Sequence, residues 1–253
     1  MSTATLAVPD VVYPESDGKP MADNTLQWDW MVKIVGELRD QYAGQEVFVA
    51  GDLLWYPVEG QPRINAAPDA MVAFGRPAGY RGSYLQWKEA DIAPQVVFEV
   101  LSPSNTGGEL VAKLAFYERH GVDEYYLIDP YENSVEGYCR RRSSLIRVRK
   151  MIGFTSPRLG VRFEKRDGEL VILTAAGRPF QTRAERVEEL LDENRRNADG
   201  LNLERGRADG ERVRADAERK RADAEQKRAD EEAAAKLRLA AKLRELGVDP
   251  DTV

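Results

Sequence analysis

Residues 94–102 read PQVVFEVLS, and this stretch decides the architecture. In a strand, Val96, Phe98 and Val100 share one face while Val97, Glu99 and Leu101 share the other. Both faces are apolar, so the strand lies inside a sheet that is covered above and below. Glu99 breaks the pattern. A carboxylate at that position costs several kcal/mol unless it is paired, hydrogen-bonded or bound to a metal.

Working outward from this strand, Ser102-Pro103-Ser104-Asn105 closes it and TGGELVAKLAFYERHG follows. Thr106 and Glu109 match a capping box, Gly121 is a helix stop, and Leu110, Leu114 and Tyr117 line one face. VDEYYLIDP then predicts a second buried strand, ended by Pro130. Four extended segments follow, around 134–141, 145–152, 160–165 and 169–174, with Asp167-Gly168 marking the last hairpin.

Upstream, Asp23 or Asn24 caps a helix carrying Met31, Ile34, Val35, Leu38 and Tyr42 at helical spacing. EVFVAGDLLWYPV and RINAAPDAMVAFG read as strands around a turn near Glu59–Pro62, and 75–93 reads as a surface loop or short helix. The order of elements predicts an α/β or α+β fold with a mixed sheet flanked by helices. Three regions are expected: a loose lead-in over 1–22, the sheet domain over 23–180 and a charged helical extension over 181–253.

In that extension ERGRADG, ERVRADA, ERKRADA and EQKRADE stack as heptads from Glu204 to Glu231. Asp216 with Lys220, and Asp223 with Lys227, form acid-before-base pairs at i,i+4. The best seam runs through Gly206, Gly210, Val213, Ala217, Lys220 and Ala224. That row suits a solvated charged helix better than a coiled coil. Leu237, Leu239, Leu243 and Leu246 make a more apolar stripe, the candidate surface for a second copy or another protein.

Composition excludes whole classes of mechanism. The 253 residues include one histidine, His120, and one cysteine, Cys139, so histidine-paired zinc sites, cysteine clusters and internal disulfides are out. No run approaches the roughly 18 apolar residues that suggest a membrane span, and the N-terminus lacks a signal-peptide pattern; the expectation is a soluble cytoplasmic protein. The net charge of −6 hides an asymmetry: residues 1–139 hold 21 acids and 9 bases, whereas 140–166 hold 10 bases and 1 acid.

Three polar residues carry the chemistry. Asp69 follows Pro68 at the head of AMVAF, Glu99 lies in the central strand, and Lys113 is on the helix that follows. If the strands of Asp69 and Glu99 are neighbours, their carboxylates converge on one cation and Lys113 reaches the same place. Such a site suits Mg²⁺, which takes one or two carboxylates and keeps several waters. The bland alternative is a Glu99–Lys113 ion pair that fixes strand to helix.

PDAMVAF, VVFEVLSPSN and KLAFYERHGVDEYYLIDP, in that order and spacing, resemble the Uma-type family of restriction endonuclease-like proteins, in the PD-(D/E)xK nuclease superfamily. The similarity covers roughly residues 23–175. It implies a restriction endonuclease-like core, a divalent-metal site using Mg²⁺ or Mn²⁺, and DNA as partner. By the match Asp69 is the motif aspartate, Glu99 the second acid and the Val100 carbonyl a further metal ligand. The superfamily lysine position two residues after the glutamate holds Leu101; the resemblance assigns its role to Lys113, positioning the attacking water. Asp52 resembles an acid on the preceding strand, and Ser102 and Glu109 are supporting candidates.

His120 reads as a helix C-terminal residue favoured by the dipole, and Cys139 as a small strand residue. Arg140, Arg141, Arg142, Arg147, Arg149 and Lys150 read equally as a phosphate-binding surface or as the solvent face of an edge. The leading expectation is a Mg²⁺-dependent endonuclease. The alternative is a non-cleaving protein that keeps the nuclease fold and assembles through its C-terminal helix.

Overall fold

The structure, a computed structural model, describes residues 11–18 and 20–245. Ten residues of the expected lead-in, together with Lys19 and Leu246, lie outside the described residues. The chain forms two compact units, one up to Val187 and one from Glu188 onward.

Helix α1 spans Thr25–Gln41, with the Asn24 side chain accepting the Gln27 N–H at 3.0 Å as its cap. Strands β1 (Val47–Ala50), β2 (Trp55–Tyr56), β3 (Ala70–Phe74), β4 (Tyr84–Leu85) and β5 (Val96–Val100) follow. Helix α2 (Gly107–Arg119) leads to β6 (Glu124–Asp129), β7 (Ser134–Arg141), β8 (Ser144–Arg147), β9 (Arg162–Arg166) and β10 (Glu169–Leu173). Helix α3 runs over Arg183–Glu245. The capping box at Thr106 and Glu109 is complete, and Gly121 supplies the positive φ that takes the chain out of α2.

Six strands form one mixed sheet in the order β1-β3-β5-β6-β7-β8, parallel only between β5 and β6. Every residue of β5 is buried, as the opening stretch requires. Val96, Phe98 and Val100 pack toward Met31, Ile34 and Leu38 of α1, with Phe163 and Ile172 of the β9–β10 hairpin in the same cluster. Val97 belongs to the opposite cluster, with Tyr117 of α2 and Trp55, Tyr84 and Tyr125. The β5–α2–β6 connection thus lays α2 over the face that carries Glu99.

Several expectations are corrected. Residues 63–69 are not a strand; beyond a single bridge from Ala66 to Trp55 the chain stays irregular until Ala70, interrupted by Pro62 and Pro68. β2 pairs in parallel with β4, a contact between short segments that local periodicity does not reveal. β8 ends at Arg147 rather than continuing to 152. One more bond, from the Val148 N–H to the Gly137 carbonyl at 2.8 Å, follows it, and Met151 packs on Gly137 so closely that a Cβ there would lie 2.5 Å from Met151 Sδ. β9 and β10 form their own two-stranded sheet, turned by Asp167 and Gly168, both at positive φ.

The start of α3 is anchored within the first unit. Glu37 of α1 is buried and accepts from both Arg178 nitrogens at 3.0 and 2.9 Å, from the Gln181 N–H at 3.1 Å, and from Arg186. Burial pushes its carboxyl up, but the two guanidiniums outweigh that and hold its pKa below the ordinary value. Among the described residues, no helix is long and apolar enough to cross a membrane.

Candidate active site

The antiparallel register pairs Ala70 with Phe98, so one step further brings Asp69 opposite Glu99. Asp69 stands one residue before β3 begins, and its carboxylate takes the place of a strand in the ladder: Oδ2 accepts the Val100 N–H at 2.6 Å. The Val100 carbonyl accepts Gln27 Nε2 at 3.0 Å. The backbone of Val100, at the end of the central strand, is therefore held by α1 through its carbonyl and by Asp69 through its N–H.

Lys113 and Tyr117 are one turn apart on α2 and hold both oxygens of Glu99. Lys113 Nζ donates to Oε2 at 2.6 Å, and the Tyr117 hydroxyl donates to Oε1. Glu99 is 3 % exposed and Tyr117 fully buried, whereas the lysine side chain is partly open to the cleft. Tyr117 thus turns one carboxylate oxygen inward and leaves the other on the Lys113 side.

The charges perturb each other strongly. Burial, then the neighbouring charge of Glu99, pushes the Asp69 carboxyl up to about 8. Asp52, at the end of β1 with φ 48°, is pushed up to about 6 by burial and by Asp17. Its N–H donates to the Pro68 carbonyl at 3.0 Å, which keeps it beside the aspartate strand. Burial disfavours the Lys113 ammonium, but the charge and hydrogen bond of Glu99 overcome that and raise its pKa. Burial and Glu99 likewise raise Tyr117.

A cleft of about 500 Å³ opens beside this set, with Asp52, Asp69 and Lys113 in its wall together with Asp17, Asp23 and Glu109. Among the described residues, Lys113 is the single cation lining it, against five carboxylates. Among the described residues, no group of three or more His, Cys, Asp or Glu side chains is placed to hold a metal. The donors are instead a pair of carboxylates and a backbone carbonyl with a second lone pair, a set that fits Mg²⁺. A buried Asp69 destabilised as an anion by its neighbours is what a divalent cation would relieve.

The supporting candidates separate. Ser102 is buried; its hydroxyl donates to Asp23 and its N–H donates to Asn105 Oδ1 at 2.9 Å, so it ties the loop after β5 to the entry of α1. Glu109 completes the α2 cap, accepting the Thr106 N–H at 2.9 Å, and also lines the cleft. His120 is the C-cap residue of α2, packed against Phe116 and Trp55. Gln27 is not singled out from sequence, and Tyr117 is read there only as part of the face that α2 buries. Their signals exist: Gln27 interrupts the apolar stripe of α1, and Tyr117 stands at i+4 from Lys113.

The basic cluster is divided. Arg140 is spent on carbonyls around the end of α2, donating to Val122 at 2.7 Å, Glu118 at 2.8 Å and Ser143 at 3.1 Å. Arg147 pairs with Glu136 at 2.6 Å. Arg141, Arg142, Arg149 and Lys150 are exposed. Val100 aligns with Ile128 and then Val135, so the β7–β8 tip at Arg142 lies seven residues along the sheet, about 23 Å from the carboxylate end.

The mixed sheet thus ends its central strand in an acid pair, with a lysine on the next helix. The Uma2 family, described as "Putative restriction endonuclease", matches residues 7–153, and the chain belongs to this family. The family is one of nucleases. Among solved structures the chain is similar to a "putative nuclease belonging to DUF820" from Anabaena variabilis, at 17% identity over 55% of this chain and 74% of that one, with a TM-score of 0.41. The comparison with curated proteins gave no match.

Proposed function

We propose that the protein is a divalent-metal-dependent endonuclease that hydrolyses phosphodiester bonds in DNA. The observation that carries this reading is the convergence of Asp69, Glu99, the Val100 carbonyl and Lys113 at one end of β5. Asp69, Glu99 and the carbonyl would hold the cation, Mg²⁺ or Mn²⁺. When bound, the cation supplies Lewis acidity toward a phosphate oxygen and acidifies a water.

The protein's own groups do the rest. Lys113 has N–H donors beyond the one given to Glu99, and these hold the attacking water and the phosphate. Tyr117 is a positioning residue that fixes the rotamer of Glu99. Gln27 orients the Val100 carbonyl. Asp52 and Glu109 extend the acidic wall, while Ser102 supports the loop. The exposed Arg141 and Arg142 at the β7–β8 tip, and Arg149 and Lys150 beyond β8, attract the polyanion, with Arg140 and Arg147 holding that surface together.

The test is cleavage of supercoiled plasmid and of single-stranded DNA by the purified full-length protein, with Mg²⁺ or with EDTA. Nicking that needs the metal is expected. Cleavage that persists in EDTA contradicts the metal role. Failure to cut either substrate, or to bind Mg²⁺ or Mn²⁺, favours a non-cleaving protein on a nuclease fold.

A further inference from the structure

The second unit raises a separate question: what keeps a helix intact that buries nothing. From Glu188 to Arg244 no residue of α3 is buried. Tertiary packing usually supplies most helix stability, so here local terms must replace it.

The heptads supply them in an ordered way. Glu opens each repeat and Arg takes its fourth position, so Glu204, Arg207, Glu211, Arg214, Glu218 and Arg221 alternate in sign at steps of three and four, continuing to Glu232. A second ladder runs through Arg205, Asp209, Arg212, Asp216, Arg219 and Asp223. Away from its ends, each charge has an opposite charge one turn away on either side, the spacing at which helical side chains meet. Upstream of the repeats Arg195 pairs with Asp192 at 2.7 Å, and within them the Gln226 amide donates to Asp230 at 2.9 Å, contacts at the same three- and four-residue spacing.

Two narrow faces remain between the ladders. One carries only alanine, at 208, 215, 222 and 229. The other runs through Gly206, Gly210, Val213, Ala217, Lys220 and Ala224 and then meets Lys227 and Glu231. Neither provides the bulky apolar residues that a two-stranded seam needs at its a and d positions. The segment is also nearly balanced, with ten acids and nine bases over 204–232, so it presents no net field to a polyanion.

We propose that residues 204–232 are a free-standing, ion-laddered helix, a monomeric strut that holds the chain at its two ends about 42 Å apart. The strut is weakest near Gly206 and Gly210, where helix propensity is lowest. This assignment is independent of the nuclease reading.

The test is pulsed dipolar EPR on the full chain in a Cys139→Ala background. With nitroxides at Ala208→Cys and Ala229→Cys, a single narrow distance is expected, about 32 Å along the axis before the label arms are added. A broad distribution centred at shorter distance overturns the strut. With one nitroxide at Ala215→Cys, no coupling between copies is expected at tens of micromolar protein. A defined short distance between copies shows a coiled coil and overturns the monomeric claim. Replacing Arg207, Arg214, Arg221 and Arg228 together by Gln should broaden the 208–229 distance. An unchanged narrow distance means that the ladder is not what stiffens the helix.

Discussion

Two glutamates on neighbouring strands are buried almost equally, Glu99 at 3 % exposure and Glu124 at 2 %. They do different jobs. Glu124, at the start of β6, accepts from the Tyr126 hydroxyl at 2.8 Å, the Arg158 N–H at 2.7 Å and the Ser156 hydroxyl, and burial pushes its pKa up. It ties the 156–159 loop to the sheet. Glu99 is held by one phenol and one ammonium, faces a second carboxylate, and stands beside a cleft. Burial of an acid therefore marks cost; it is the neighbouring charge and the opening that mark a site.

The widest separation should come from exchanging each acid for its amide. Glu99→Gln is expected to lower cleavage by at least about 10³-fold with the fold retained. Glu124→Gln should leave cleavage within about threefold but cost about 1–3 kcal/mol, because an amide offers N–H groups to partners that are themselves donors. Cleavage assays and thermal melts of both variants check this pair. Equal loss of activity in both would erase the distinction.

The pH dependence sharpens the contrast further. Asp69 has a folded pKa of about 8, above its ordinary value of 3.8, so the folded state binds its proton more tightly than the unfolded chain. Without metal, stability from this group is present below pH 4 and lost as pH rises toward 8. Asp69→Asn keeps an acceptor for the Val100 N–H. It should gain at least about 1 kcal/mol over the parent near pH 8 and lose activity. Melts between pH 5 and 9 in EDTA check the sign.

Tyr117→Phe should act less. Losing one hydrogen bond to Glu99 is expected to slow cleavage about tenfold through kcat, with little change in KM and a cost of about 1 kcal/mol. A purely structural tyrosine would lower stability without moving kcat. Smallest in effect on chemistry, alanines at Arg141, Arg142, Arg149 and Lys150 should leave kcat unchanged. They should flatten the dependence of log DNA affinity on log salt by about 2 to 4.

Much of the first unit is legible in the sequence because local signals and tertiary roles coincide. PQVVFEVLS could only be an interior strand, and Thr106 with Glu109 announces α2 through chemistry that acts within one turn. The convergence of Asp69 with Glu99 follows from strand alternation once their strands are neighbours. Other features depend on register or on distant partners. The β2–β4 pairing and the separate β9–β10 sheet join segments whose own patterns say only "extended". Arg140 looked like any other arginine of its cluster until the fold brought the end of α2 against it. Glu124 sits in DEYYLID with nothing local to announce Ser156 and Arg158 as its partners.

The most direct measurement is calorimetric titration of Mn²⁺ into the full-length protein and into Glu99→Gln and Glu124→Gln. The parent and Glu124→Gln should bind with the same affinity, and Glu99→Gln at least about tenfold more weakly. Equal affinity in all three, or no binding by the parent, would contradict a metal site at the end of β5.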